Sequence, residues 1–493
     1  MNRDIFRGIF SVLSGKITIL FISLVTTPLI VRLLGPADYG NYSFILSVLS
    51  ILSILMITSV RTSLRKYLSE NIENLEWVTA VFGFFVHLGT ILSVIFGGLI
   101  VAVVISLRTI GAIESPISEY LLILVLVLFG NQIHGISWSS LMSYNLEHYA
   151  EGLNIGKKVI FYSVGIVLLL FGFGVFGLLL AHILAGILTG LFGLLILRNK
   201  LDLKQAVFSL SGYSEISIDR MLRYNLTSTV LILLTASLYH TDIILIRGIS
   251  GSSETGLYKA ALQIAQFLWF APTAIHAVFV HSTSELWADS QVQRITEIAS
   301  LATRYTLLLS VLLAIGLATL ADSLMPIYFG PEFSRSIVPL LVLLPGTVGF
   351  AVAKPIYAIG QGNGKLRVLI IATGIASAVN FGLNLILIPR YGILGAAVAT
   401  SIGYLSMVFL HIMSAQIIGF NPIRDLRFLR IALTSIISGV FIYGLDKLIQ
   451  GNILSLVIIP PSGFLVFAGL CIITGSVDQT EIQKILRKTY SLK

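Results

Sequence analysis

Residues 159–197, VIFYSVGIVLLLFGFGVFGLLLAHILAGILTGLFGLLIL, contain no Asp, Glu, Lys or Arg. One straight helix of that length would run about 58 Å, against a bilayer hydrocarbon core of roughly 30 Å. The run therefore reads as two spanning helices, folded back at the Gly-rich turn Gly172-Phe-Gly-Val-Phe-Gly177. Apolar runs recur along all 493 residues, and the mean hydropathy is +0.95. No soluble core absorbs that much apolar surface. The pattern predicts spans near 9–33, 41–60, 78–107, 119–144, 155–173, 176–197, 222–247, 256–281, 298–321, 336–360, 367–388, 392–418, 428–446 and 453–474. The expected fold class is an all-α polytopic membrane protein of about 14 transmembrane helices.

Orientation follows from the placement of basic residues, which favour cytoplasmic segments. With the N-terminus inside, 25 of the 32 Lys and Arg fall on inner segments or inner helix ends. The split supports a multi-pass protein of the cell membrane with both termini cytoplasmic. It also accounts for the net charge of +9. Nucleic-acid binding needs a concentrated basic face, whereas these charges are spread along loops beside anionic lipid, so no nucleic-acid partner is expected. The first apolar run lacks a small-residue cleavage site and reads as a retained span. The single Cys471 excludes a disulfide framework and a cysteine-based metal site. His87, His134, His182, His276 and His411 are scattered singly over five spans, so no metal and no cofactor is expected.

The polar, basic segment 198–221 falls near the middle of the helix series and reads as a cytoplasmic linker between halves. The halves resemble each other. Aligning LIVRLLGPADYGNYSFIL (29–46) with ILIRGISGSSETGLYKAAL (244–262) sets Arg32 opposite Arg247, and one insertion later Gly40 opposite Gly256 and Tyr42 opposite Tyr258. GVFGLLLAH (174–182) likewise matches GILGAAVAT (392–400). The offsets of 215, 216 and 218 agree at two distant places. Six helices per repeat is an even number, so both halves cross the membrane in the same sense, a transporter layout. The expected organisation is a six-helix lobe over 1–197, the linker 198–221, a second six-helix lobe over 222–420, and two additional helices with a basic tail over 421–493.

Three stretches resemble a known family. PLIVRLLGPADYGNYSFILSVLSIL is similar to the opening signature of polysaccharide (O-antigen type) flippases of the multidrug/oligosaccharidyl-lipid/polysaccharide exporter superfamily. TDIILIRGISGSSETGLYKAA is similar to the counterpart in the second half, with Asp242 at the family's usual Asp. GNGKLRVLIIATGIASAVNFGLNLILIPRYGILGAAVATSIGYL is similar to the eleventh and twelfth helices. The likeness covers about residues 5–445. It implies a V-shaped, two-lobed carrier of lipid-linked sugars, bearing polyprenyl or dolichyl phosphate or diphosphate. Expected partners are that substrate, membrane lipids, a proton or sodium ion, and glycosyltransferases of the same pathway. The alternative within the superfamily is a cation-coupled multidrug antiporter.

Polar residues fall on helical stripes. The fourth span carries Asn131, His134, Trp138 and Asn145; the seventh Asn225, Ser228, Thr235, Tyr239 and Asp242; the eighth Lys259, Gln263, Gln266 and Thr273; the eleventh Thr373, Ser377, Asn380 and Asn384. Such groups glue helices together in many membrane bundles. Four amide-bearing stripes in one chain also suit a hydrated cavity, lined by Asn131, Asn225, Gln263, Gln266, Asn380 and Asn384. Among cations, Lys16, Arg61 and Lys354 are candidates for binding a phosphate. Arg offers two donors at once and Lys a point charge. Ordinary anchoring at the inner face and snorkelling to headgroups are the competing roles. Asp242 suits either a structural pair with a cation on another helix or a proton or sodium site, with His240 as helper.

Enzymatic readings find little support. No Asp-x-Asp occurs, which argues against many membrane glycosyltransferases. Gly360-Gln-Gly-Asn-Gly-Lys365 approaches a phosphate-binding loop, but Leu366 stands where Ser or Thr is needed and no strand precedes it. A glycan polymerase or ligase would carry a large outer loop. Transport without catalysis is the expected function.

Overall fold

The computed structural model describes the backbone of residues 3–478 and 481, apart from residues 114, 199, 202–204 and 206–216. The side chains of residues 3–13, 16, 59, 224, 227, 228, 277 and 281 also lie outside the description, and so does most of the expected linker 198–221. The described secondary structure is helical. In chain order it comprises α1 (Arg3–Ser53), a π-helical turn (Ile54–Thr58), α2 (Ser59–Glu70), α3 (Leu75–Thr109), α4 (Ile117–Ser143), α5 (Glu147–Leu170) and α6 (Gly174–Leu197). There follow α7 (Ile218–Ile249), α8 (Ser252–Ala265), α9 (Phe270–Ala288), α10 (Val292–Phe329), α11 (Ile337–Gly362), α12 (Leu366–Ile418), α13 (Phe428–Leu448) and α14 (Asn452–Ile473).

Twelve stretches among the described residues are long and apolar enough to cross a bilayer. Two of them, Ile17–Glu70 with 54 residues and Leu366–Ile418 with 53, would each run about 80 Å if straight. Neither is straight. The backbone leaves the helix at Gly35 (φ 67°, ψ 176°) and at Gly392 (φ 55°, ψ −133°). A Cβ on Gly395 would strike the backbone of Leu387, eight residues earlier and about 12 Å away in an unbroken helix, so the chain doubles back there. The spans expected over 9–33 and 41–60, and over 367–388 and 392–418, are thus joined by single left-handed glycines rather than by loops. Counting the two breaks gives about fourteen crossings. The turn at Gly172 and Gly174 (φ 82° and 51°) falls where the charge-free run had to fold back.

The internal repeat has a structural counterpart. Gly35 and Gly251, 216 residues apart, take the same unusual backbone, φ 67°/ψ 176° and φ 91°/ψ 179°. Gly174 and Gly392, 218 apart, have φ 51° and 55°. Side chains agree as well. Tyr42 Oη meets His182 Nε2 at 2.9 Å, and Tyr258 Oη donates to Thr400 Oγ1 at 3.0 Å. Tyr42 aligns with Tyr258 and His182 with Thr400, so one tyrosine–helix clasp is built twice.

Packing divides the chain into two compact units, Met1–Arg247 and Gly248–Lys493. Lipid offers no hydrophobic drive for helices to associate, so close approach of small residues carries the packing. In the first unit α4 lies on α6 through glycine. A Cβ on Gly186 would come 2.8 Å from the backbone of Gly130, one on Gly190 2.7 Å from the amide nitrogen of His134, and one on Gly193 2.6 Å from Ser137 Cβ. Gly190→Ala must therefore push α4 and α6 apart. The expected loss is about 1–3 kcal/mol, seen as a lower melting temperature of purified protein. An unchanged melting temperature would mean that the two helices are not in contact at Gly190.

In the second unit, α13 and α14 add to the repeat. Their outward side chains Leu429, Val440, Ile453 and Leu465 are exposed, as lipid-facing residues are. At one end of this unit an ion network ties them to α10. Arg304, wholly buried on α10, donates to Asp425 Oδ2 at 2.5 Å and to Glu481 Oε1 at 2.5 Å. Arg427 adds bonds to Asp425 at 2.9 Å and Asp478 at 2.6 Å.

Candidate functional site

A cationic cluster in the first unit stands out because its side chains meet along the helices rather than in the loops that join them. It is assembled from α2, α4 and α5. The π-helical turn Ile54–Thr58 inserts an extra residue one turn before Arg61, which rotates the following side chains about the helix axis. Arg61 then lies across Gly135 of α4, where a Cβ would sit 3.1 Å from Arg61 Cδ. Its guanidinium stacks 4.1 Å from the ring centroid of Trp138, and that of Arg65 lies 6.0 Å from the same ring. Trp138 is one helical turn beyond His134 and two beyond Asn131, so these three of the expected α4 stripe face the cluster, whereas Asn145 lies past the helix end at Ser143 with φ 57°.

Lys157 completes it. Its ammonium donates to Asn131 Oδ1 at 2.7 Å and lies close enough to Arg61 and Lys158 to be repelled by both. Next to it runs a polar chain joining α6, α4 and α5. Thr189 Oγ1 meets His134 Nδ1 at 2.9 Å, His134 Nε2 meets Asn154 Oδ1 at 3.2 Å, and Asn154 Nδ2 donates to Glu151 Oε2 at 3.3 Å. Glu151 is buried, packs against Gly15 of α1 and acts electrostatically on Arg61. Four cations, Arg61, Arg65, Lys157 and Lys158, thus neighbour one another, and the Glu151 carboxylate acts on Arg61 among them. Such an arrangement favours a further anion, and the Arg fork fits a phosphate better than a point charge does.

The other residues expected from sequence are distributed over both units. The Lys16 side chain lies outside the described residues, although its neighbour Gly15 touches Glu151. Asn225 is buried on α7, with Nδ2 3.4 Å from Ser63 Oγ of α2. Asp242 is 1% exposed and accepts from the backbone N–H of Ile243 at 2.8 Å. His240 Nδ1 meets Ser47 Oγ at 3.3 Å, and Arg247 Nε donates to Asn41 Oδ1 at 2.9 Å. In the second unit, Asn380 and Asn384 are buried and joined at 3.3 Å, and Asn380 reaches Thr400 at 3.4 Å. They therefore share the clasp that holds Tyr258. Gln263 and Gln266 are half-buried on α8 and the 3-10 turn Gln266–Trp269.

Lys354, on α11, sits in an aromatic cradle of its own unit. Its ammonium is 5.2 Å from the ring centroid of Trp269 and 5.0 Å from that of Phe350, and its carbonyl bonds His276 Nδ1 at 3.3 Å. Trp269, Phe350 and Tyr404 pack against one another with centroids 4.9–5.4 Å apart.

Sequence reasoning overlooked Lys157 and Glu151. Both stand at the inner end of the fifth span, where Lys reads as an ordinary cytoplasmic anchor and Glu as loop. One signal was available: Glu151, Asn154 and Lys158 fall at steps of three and four, a polar stripe continuing into an apolar helix.

Comparison with known proteins agrees with this architecture. The solved structure of the lipid II flippase MurJ, in an inward closed conformation, superposes with a TM-score of 0.72 at 16% identity, covering 94% of this chain and 98% of that one. An inward-facing multidrug resistance MATE family transporter of the MOP superfamily gives 0.65 at 18% identity, covering 80% and 94%. At these identities the likeness speaks for the fold alone. Among curated proteins, a probable low-salt glycan biosynthesis flippase, Agl15 of Haloferax volcanii, is 24% identical over 254 residues, 50% of this chain and 52% of that protein. An uncharacterised membrane protein of Methanocaldococcus jannaschii is 24% identical over 225 residues, 44% of this chain and 43% of its own length. The chain thus spans about half the length of the curated relatives it matches. The profile of the polysaccharide biosynthesis protein family matches residues 29–338, well over half of the sequence, and includes α4, α5 and the cationic cluster between them. The fold is shared with the solved MurJ and MATE structures, and on the family match the chain belongs to the polysaccharide biosynthesis protein family.

Proposed function

We propose that the chain is a flippase, carrying a lipid-linked sugar or oligosaccharide from the cytoplasmic to the outer leaflet. The carrier lipid's phosphate or diphosphate is held by Arg61 and Lys157, and its chain stays in the bilayer. The observation that carries this reading is the cluster of four neighbouring cations at the inner ends of the spanning helices, with Glu151 acting on Arg61. Intramembrane charge is expensive and is retained where a substrate or ion uses it. Asn131 and Asn154 beside the cluster supply amide groups suited to sugar hydroxyls. Lys354 supplies the cation of the second unit, and Lys16 is the further cation expected from sequence to serve the phosphate. The descriptions of Agl15 and MurJ as flippases support the same activity.

The antiporter alternative fits less well. A cationic drug would meet like charges in the first unit. In the second it would find the faces of Trp269 and Phe350 already taken by Lys354. Asp242 with His240 is the candidate coupling group for a proton or sodium gradient, and glycosyltransferases of the same pathway are the expected suppliers of substrate.

The test is translocation in proteoliposomes of a fluorescent lipid-linked oligosaccharide whose headgroup is quenched from one side. The expected result is protein-dependent exchange between leaflets with the oligosaccharide chemically unchanged. Chemical conversion of the lipid, or no exchange alongside active export of an organic cation, would reject the proposal.

A further inference from the structure

The flank of the first unit carries a cavity of about 200 Å³ between α3, α4 and α6, distinct from the cationic cluster. Phe82, Val86, Phe129 and Ile136 form its walls, and the exposed Thr90 and Phe129 mark an opening toward lipid. No charged residue lines it. Two polar groups do, and neither is satisfied. Both amide atoms of Gln132 and the hydroxyl of Ser93 are buried without a hydrogen-bond partner. Gln132 itself is 5% exposed. Its amide lies against Gly89, where any Cβ would displace it, so the glycine holds open the place in which the amide rests.

Depth matters. Gln132 stands 11 residues before the end of α4 at Ser143, about 17 Å along the helix, well inside the hydrocarbon zone. Bulk water is absent there, and each unsatisfied polar group costs several kcal/mol. An amide presents a donor and an acceptor together, and a single hydroxyl can answer both. The walls call for a hydrocarbon body. An apolar cavity of about 150 Å³ already admits benzene, so this one has room for a short aliphatic segment, with the remainder passing out to the bilayer. A charged headgroup finds no counter-charge.

We propose that this cavity is a binding site for a neutral amphiphile with one hydroxyl, an aliphatic alcohol, whose hydroxyl bonds the Gln132 amide while its chain lies along α3 and α4. The site is independent of the flippase reading, because it shares no residue with the cationic cluster.

The probe is octan-1-ol, with a diazirine-bearing octanol as photolabel, on the purified full-length protein. Wild type is expected to give adducts on peptides around Phe129 or Thr90 that excess octan-1-ol competes away. Gln132→Met keeps length and removes the hydrogen bonds. It should melt no lower than wild type and lose competable labelling about tenfold, the equivalent of one ~1.4 kcal/mol bond. Val86→Phe, which fills the cavity without touching the amide, should lose the adduct too. Gly98→Ala, on the open face of α3, should keep it. Labelling that does not saturate, or that survives both Gln132→Met and Val86→Phe, would overturn the proposal. So would a lower melting temperature for Gln132→Met without alcohol, which would mean that trapped water already satisfies the amide.

Discussion

The double variant Asp425→Asn/Glu481→Gln is expected to lose about 3–5 kcal/mol of stability, because it strips the buried Arg304 guanidinium of the two carboxylates bonded to it. Arg304 is wholly buried, while Asp425 and Glu481 are partly solvated. The effect is therefore asymmetric. Arg304→Met frees two carboxylates that water and Arg427 can still serve, and its loss should be clearly smaller. Adding Arg304→Met to the double variant should recover most of the stability, since an apolar residue of similar length replaces a stranded charge. Thermal melts of the four proteins decide it. If the triple variant melts no higher than the double, the buried charge is not what destabilises. Acid acts on the same network. Hydrogen bonds from Arg427 hold Asp478 below the usual carboxylate range. Burial pushes Glu481 up, but bonds from Arg304 and Tyr305 outweigh it and leave it lowered. Folded-state values below the unfolded ones give stability that is present at neutral pH and lost as pH falls through them. The network should hold down to the ordinary carboxylate range of about pH 4 and weaken only below it.

Arg61→Ala/Lys157→Ala is expected to abolish translocation while the protein stays folded. Each charge-assisted bond to a phosphate contributes about 1.5–3 kcal/mol, so each single variant should slow flux roughly 10- to 100-fold. Lys157→Arg should retain part of the flux, and Arg61→Lys less, because Lys gives up both the fork and the stacking on Trp138. Flux is scored per folded protein in proteoliposomes. Normal flux in the double variant would place the phosphate elsewhere.

The fold was largely legible in the sequence because bilayer thickness converts apolar length into crossings, and left-handed glycines mark where the chain turns. The match of Gly174 to Gly392 and of Tyr42 to Tyr258 could be read without coordinates, and both pairs prove to share geometry. The single-glycine turns at Gly35 and Gly392 could not, since Leu-Gly-Pro and Tyr-Gly-Ile read equally well as short loops. The site was legible only in part. Arg61 reads as a cation closing the second span and Asn131 as an amide on an apolar helix, but their meeting with Lys157 depends on how α5 lies on α4. Spacing along one helix says nothing about a neighbour 26 residues away.

The boundary between packing units at Arg247 does not coincide with the boundary between repeats, and this has a consequence for synthesis. Asn41, Ser47 and Ser63, all encoded in the first repeat, find partners in Arg247, His240 and Asn225 of α7. At roughly 5–20 residues per second, a ribosome that has finished α6 needs several more seconds to complete α7. Throughout that interval the first bundle is inserted yet unfinished. A message truncated within the linker would therefore yield six correctly spaced helices with an open polar seam, a natural target for membrane quality control.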